Sequence, residues 1–279
     1  LVIGGNFTLA GGIPANRIAQ WDGTSRSAIG TGMNEYVTAL ATLPNGDLVA
    51  GGGFTSAGGA RANYIARWNG SSWTTLGSGM NNWVYALATL PNGELIAGGI
   101  FTRAGGVPAR NIARWNGSSW AELGLGVDGP VYEIMNLPNG DLIVGGGFTN
   151  TGNVEANGIA RWNGSSWSAL GSGVTIPNSQ FRGEVIALTT LANGDIIAGG
   201  FFLSAGGEVA NYIARWNGTA WSPLGSGTND AVTTLTTLPN GDVLAGGWFW
   251  AAGGVVARRL ARWNGSSWSA FGAPSGTNS

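Results

Sequence analysis

Residues 83–120 read WVYALATLPNGELIAGGIFTRAGGVPARNIARWNGSSW, and this stretch holds the plan of the whole chain. Trp83 to Leu90 is apolar and β-branched, which suits a strand, and Pro91-Asn92-Gly93-Glu94 follows as a turn. The Asn-Gly pair tolerates positive φ at low cost and is a strong short-hairpin signal. Leu95 to Phe101 forms a second strand, a glycine-rich loop runs through Ala104-Gly105-Gly106, and Asn111 to Trp115 makes a third. After the tight turn Asn116-Gly117, Ser119 to Leu123 completes four short antiparallel strands. That is the blade of a β-propeller. A leucine-rich or helical solenoid needs an asparagine ladder or a 3.6-residue apolar period, and neither is present.

Working outward, the tryptophan turn recurs at Trp21, Trp68, Trp115, Trp162, Trp216 and Trp263, in steps of 47, 47, 47, 54 and 47 residues. Such a period marks units that bury their apolar faces only against one another. The second strand ends in a glycine pair in all six copies, from Gly4-Gly5 to Gly246-Gly247, as expected where space near a propeller axis is tight. The expected fold is all-β: a six-bladed β-propeller in one domain over residues 1–279. Its blades fall at about 1–32 (partial), 33–79, 80–126, 127–173, 174–227 and 228–274.

The hairpin closing the first strand occurs five times, at Gly46, Gly93, Gly140, Gly194 and Gly241, one fewer than the tryptophan turn. One blade thus lacks its inner strand. Three readings stand open: a fragment of a longer chain, pairing by the polar tail 273–279, or strand donation by a neighbouring molecule. An unpaired strand edge is a template for addition, and the last reading implies self-assembly through the incomplete blade.

LIAGG, then NIARWNG, then SSW, repeated throughout, resembles the kelch-type repeat and equally a recently amplified bacterial-type propeller. The resemblance covers essentially the whole chain. It departs in placing Trp115 and its equivalents where kelch repeats more often carry a tyrosine nearby. It also implies an enzymatic alternative, since kelch-like propellers include copper-radical oxidases. Their sites need histidine and cysteine as well as tyrosine.

Composition narrows function further. Histidine and cysteine are both absent, which removes imidazole bases, thiol nucleophiles and the commonest transition-metal ligands. Catalytic residues, a metal site and cofactors are therefore expected to be absent. A glycan hydrolase using paired carboxylates is disfavoured because the acids are sparse and mostly on turns. Only 10% of residues are charged and the net charge is -1, so no footprint for nucleic acid exists. No apolar run nears the roughly 20 residues of a membrane span.

The repeated acids Asp47, Glu94, Asp141, Asp195 and Asp242 read as hairpin chemistry rather than a cation ring. Arg67, Arg114, Arg161, Arg215 and Arg262 read as structural contacts to a neighbouring blade rather than as an anion array. Five of the six Asn-x-Ser/Thr sequons are the outer turn itself. Tryptophan is more discriminating. Of 14, only Trp83, Trp248 and Trp250 fall outside the repeat, and Phe201 occupies the position of Trp248 in the preceding blade. Trp248 and Trp250, two residues apart, are expected on one face of a strand. The loops before the inner strands vary too, through Tyr36 and through a seven-residue insertion containing Phe181 and Arg182. Aromatics that break a repeat on held loops are candidates for stacking on a sugar or anchoring a partner. The expected function is a non-catalytic binding or structural module, extracellular or on a cell surface, that recognises carbohydrate or protein through Tyr36, Trp83, Phe181, Arg182, Phe201, Trp248 and Trp250.

Overall fold

The computed structural model describes residues 1–272, and among them every regular element is a strand. The chain divides into two compact units, Leu1–Asp141 and the part from Leu142 onward. The tail at 273–279, one suggested partner for the incomplete blade, lies outside the described residues.

In the first unit, Val37–Thr42, Leu48–Gly52, Ile65–Trp68 and Trp73–Thr74 lie side by side in that order. Residues 80–126 repeat the sheet with Val84–Thr89, Leu95–Gly99, Ile112–Trp115 and Trp120–Glu122, all neighbours antiparallel. Before them stands a three-stranded sheet of Val2–Gly4, Ile18–Trp21 and Arg26–Ala28. The first unit ends with the strand Val131–Asn136. The second unit opens with Leu142–Gly146, Ile159–Trp162 and Trp167–Ala169. Two four-stranded sheets follow, beginning at Glu184–Thr190 and Val232–Thr237.

The hairpin after each first strand differs in detail from a two-residue Asn-Gly turn. Leu43 N donates to Asp47 O (2.8 Å) and Gly46 N donates to Leu43 O (2.9 Å), while only Gly46 has positive φ, at 88°. This is a three-residue loop closed by a left-handed glycine, the next most common hairpin connection. Asn45 donates to Asp47 Oδ2 (2.8 Å) and accepts from its backbone N–H (3.2 Å). The carboxylate also meets the repeated arginine: Arg67 lies 3.3 Å from Asp47 and Arg114 lies 3.6 Å from Glu94. Arg215 pairs with Asp195 and Arg262 with Asp242. These partners belong to the same blade, not to a neighbouring one, because the third strand runs antiparallel to the second and brings its arginine back to the hairpin. The arginine side chains are 39–43% exposed, so each pair adds under about 1 kcal/mol.

The outer turn is an asparagine-capped loop. Asn69 Oδ1 accepts from Ser71 N (3.0 Å), Ser71 Oγ (2.9 Å) and Ser72 N (2.9 Å), and Asn116 and Asn163 do the same. This local bonding explains the sequon pattern without a modification. The second repeat tryptophans Trp73, Trp120, Trp221 and Trp268 pack 5.4 Å from the first in their own blade and donate Nε1–H to the preceding one, whereas among the described residues the buried Trp167 Nε1 finds no such acceptor. Trp73 bonds to Ile29 O at 3.0 Å and Trp120 to Leu76 O at 2.9 Å in the first unit. Trp221 bonds to Leu170 O at 2.7 Å in the second.

The two glycines of the pair answer to two different close approaches. A Cβ on Gly51 would lie 2.6 Å from Val84 of the next blade, and one on Gly199 would lie 2.6 Å from Val232. The second glycine instead meets its own blade: a Cβ on Gly52 would collide with the Tyr36 carbonyl, where the register of first and second strands shifts between Val37 and Ala39. One glycine serves blade stacking and the other a β-bulge. Two residues beyond lies a column of wholly buried phenylalanines, Phe54, Phe101, Phe148, Phe202 and Phe249, which anchor the loop end of every sheet from the second repeat onward.

Candidate ligand-binding surface

Each four-stranded sheet has two unlike ends. The hairpin and the asparagine turn close one end with nearly invariant residues. The other end carries the connections between second and third strands and those leading to the next first strand. The glycine-rich connection is no open loop but a two-stranded ribbon, such as Ser56–Ala57 with Ala60–Arg61 or Arg103–Ala104 with Val107–Pro108. An asparagine from the neighbouring loop clamps it. Asn34 Oδ1 accepts from Thr55 N and Ser56 N, both at 3.0 Å, and its amide donates to Thr55 Oγ1 at 3.0 Å; Asn81 repeats this with Thr102 and Arg103. Consensus residues of this end thus hold the scaffold, and the departures from consensus are free for other work.

In the first unit the departures form one continuous row. The Tyr36 ring meets Trp83 edge-on at 5.9 Å, Trp83 lies 6.0 Å from Tyr85, and Tyr85 lies 5.7 Å from Tyr132. The Arg17 guanidinium caps the row 5.6 Å from the Tyr36 centroid and is held by Asn6 at 2.7 Å. Trp83 has room because Gly53 of the preceding blade sits beneath it, 2.6 Å from the ring for any added Cβ. Two expected residues, Tyr36 and Trp83, are therefore in contact. Arg17, Tyr85 and Tyr132 join them without having been singled out, although Tyr85 and Tyr132 stand in one column of the repeat where the other blades have Thr38, Ile186 and Thr233. Next to Tyr132, Glu133 replaces the alanine or threonine of other first strands, and burial pushes its carboxyl up to about 7.

In the second unit the expected residues fall into two places. Just before the insertion, the bridge that other blades make between Met33 and Ala57 or Met80 and Ala104 lengthens into a short strand, Val174–Thr175, paired with Ser204–Ala205 of the ribbon. Behind it lies a cavity of about 300 Å3 lined by Phe148, Thr175, Gln180, Phe181 and Arg182. Phe181 is 69% exposed at its mouth. Elsewhere Phe201, 41% exposed, packs 6.0 Å from Tyr212.

Trp248 and Trp250 are 63% and 62% exposed on either side of the buried Phe249. They lie beyond the strand Val243–Gly247 rather than on it, so alternation along a strand does not place them, and no ring contact joins them. Asn229 still accepts from Trp250 N (3.0 Å) and Ala251 N (2.9 Å). The threonine hydroxyl that Asn34 and Asn81 bind is missing there, because Trp250 stands in its place. Among the described residues no cluster of acids gathers that could hold a metal ion.

A family model described as a domain of unknown function (DUF5122) β-propeller matches residues 43–71, 90–118, 137–165 and 238–266. Each match runs from the hairpin to the asparagine turn. The extracellular domain of a hybrid two-component system of B. thetaiotaomicron, BT4673, superposes with a TM-score of 0.62 at 14% identity, over 91% of this chain and 30% of that one. The fold is a six-bladed β-propeller. Among the described residues its first sheet has three strands, Val2–Gly4, Ile18–Trp21 and Arg26–Ala28. Virginiamycin B lyase from Staphylococcus aureus superposes with a TM-score of 0.53 at 15% identity, over 92% of this chain and 78% of that one. YCF48 bound to D1 peptide gives 0.50 at 15% identity, over 85% and 68%. This chain spans less than a third of the B. thetaiotaomicron chain. No curated protein matches it.

Proposed function

We propose that the protein is a non-catalytic recognition module working outside the cell, and that the loop ends of its blades bind carbohydrate. The observation that carries this reading is the pair Trp248 and Trp250. The chain gives up a scaffold hydrogen bond to place an indole at position 250, and then leaves both indoles in solvent instead of packing them. Local departures from a repeat that cost stability belong to function. Exposed indoles supply flat apolar faces with an N–H at the edge, which suits the C–H faces and hydroxyls of a sugar. An extracellular setting accords with the extracellular domains of B. thetaiotaomicron sensor proteins that share the fold. Histidine-dependent catalysis of the kind lost in the catalytically inactive histidine-to-alanine variant of virginiamycin B lyase is set aside on chemical grounds, because this chain has no histidine.

A glycan array probed with the whole chain, with product analysis of each retained sugar, tests the proposal. Retention without turnover, weakened at least tenfold by Trp248→Ala with Trp250→Ala, supports it; turnover, or retention indifferent to both substitutions, refutes it. A protein partner is the second reading. It is favoured by Val255 and Val256, exposed on the adjoining ribbon, and by the peptide complex of YCF48. An empty glycan array beside a peptide array whose signal depends on Trp248 and Trp250 would select it.

A further inference from the structure

A second polar site lies in the first unit, apart from the aromatic row. Between the ribbons of the second and third blades is a cavity of about 430 Å3 whose walls include Arg61, Arg103, Tyr64, Asn63, Thr55 and Ser78, with no acidic residue among its lining. Both arginines are single departures from the repeat. Where Arg61 stands, the other copies have Pro14, Pro108, Glu155, Val209 and Val256; where Arg103 stands, they have Leu9, Ser56, Asn150, Ser204 and Ala251. A structural arginine would recur with the repeat, as Arg67 and its equivalents do.

The partners differ as well. The recurring arginines Arg67, Arg114, Arg215 and Arg262 meet the carboxylates of their hairpins. Among the described residues Arg61 instead donates to Asn63 Oδ1 (3.2 Å), and Arg103 to the Gly106 carbonyl (2.8 Å). Asn63 is itself fixed by donating to Ser78 O at 2.8 Å, so the Arg61 fork is steered by a neutral, immobile group. Two guanidiniums without counter-charge in one cavity favour an anion, and their planar forks favour a carboxylate.

The remaining wall is aromatic and hydroxylated, with Tyr64, Thr55 and Ser78 in it. Tyr64 adopts a left-handed backbone, φ 64°, locked by Tyr64 N to Phe54 O (2.8 Å) and Gly52 N to Tyr64 O (3.0 Å). The position is left-handed in every copy, and Arg17, Asn111, Gly158, Tyr212 and Arg259 fill it elsewhere, so the tyrosine recurs at Tyr212 but meets a pair of unrepeated arginines only here among the described residues. A tyrosine there adopts a backbone that L side chains rarely take, and it shares the cavity wall with the hydroxyls of Thr55 and Ser78.

We propose that this cavity binds the carboxylate of a uronic-acid residue in an acidic polysaccharide, with Arg61 and Arg103 on the carboxylate and Tyr64 against the sugar ring. The proposal rests on the glycan-binding reading but not on Trp248 or Trp250.

Calorimetric titration of the whole chain with trigalacturonate and with its fully methyl-esterified form tests it. The acid is expected to bind at least tenfold more tightly than the ester, to weaken with added salt, and to lose at least tenfold in affinity with Arg61→Ala or Arg103→Ala at unchanged melting temperature. Trp248→Ala with Trp250→Ala is expected to leave this binding intact, so failure of the indole surface and failure of this cavity are read separately. Equal affinity for acid and ester, indifference to both arginine substitutions, competition by inorganic phosphate at equal molarity, or no heat of binding at millimolar trigalacturonate would overturn it.

Discussion

At the scale of single residues, repeated and unrepeated side chains do different work. Trp120 is repeated, and its buried N–H bonds the Leu76 carbonyl of the preceding blade. Trp120→Phe leaves that carbonyl unpaired in the core, at an expected cost of about 2–3 kcal/mol including lost packing. Chemical denaturation checks this; a loss under about 0.5 kcal/mol would deny the staple its role. Glu133 is unrepeated, and its carboxyl rises from 4.5 to about 7 through burial alone. The folded protein then holds the proton more tightly than the unfolded chain, so stability is full below about pH 4.5 and falls as pH climbs towards 7. Glu133→Gln should flatten that slope and add on the order of 2 kcal/mol at pH 8. A wild-type stability profile that is level between pH 4.5 and 7 would contradict the burial of this carboxyl.

At the scale of elements, the strands of the type repeat were legible from alternating apolar runs bounded by Asn-Gly turns, because those signals lie within a few residues of each other. The ribbon at Arg103–Ala104 and Val107–Pro108 was not, since two-residue strands carry no pattern of their own. The cause of the glycine pair was hidden for another reason. Gly51 answers to Val84 in the next blade, a relation between blades that one repeat read alone does not show. The row from Tyr36 to Tyr132 and the placing of Arg61 and Arg103 on one cavity are relations of the same kind, while Trp248, Trp250 and the insertion stand out because each breaks its own copy. Replacing Thr175–Glu184 by Asn-Asn-Trp, the sequence before Val84, would restore the 47-residue period and supply the clamping asparagine. The melting temperature should move by no more than a few degrees while the cavity around Phe181 is lost. Failure of this variant to fold would show the insertion to be structural rather than a surface addition.

At the scale of the whole molecule, a repeated scaffold separates stability from recognition. Tight turns, Asp-Arg pairs and tryptophan staples recur with little change, whereas Trp83, Phe201, Trp248, Trp250 and the insertion, all at the loop ends, differ from blade to blade. A fold of this kind tolerates change at one end of its sheets without disturbing the buried phenylalanine column. The most direct test is a chain whose loop ends are returned to the consensus of its own repeats: Phe201→Gly, Trp248→Gly and Trp250→Thr. Glycan affinity by calorimetry is measured beside that of a chain altered only at the hairpins, with Asn92→Ala and Asn240→Ala. The loop-consensus chain is predicted to keep its melting temperature and lose at least a hundredfold in affinity for the glycans whose retention depends on Trp248 and Trp250, with trigalacturonate binding unchanged, while the hairpin chain binds as wild type. Undiminished binding of those glycans by the loop-consensus chain, or binding abolished by the hairpin changes in a still-folded protein, would contradict the account.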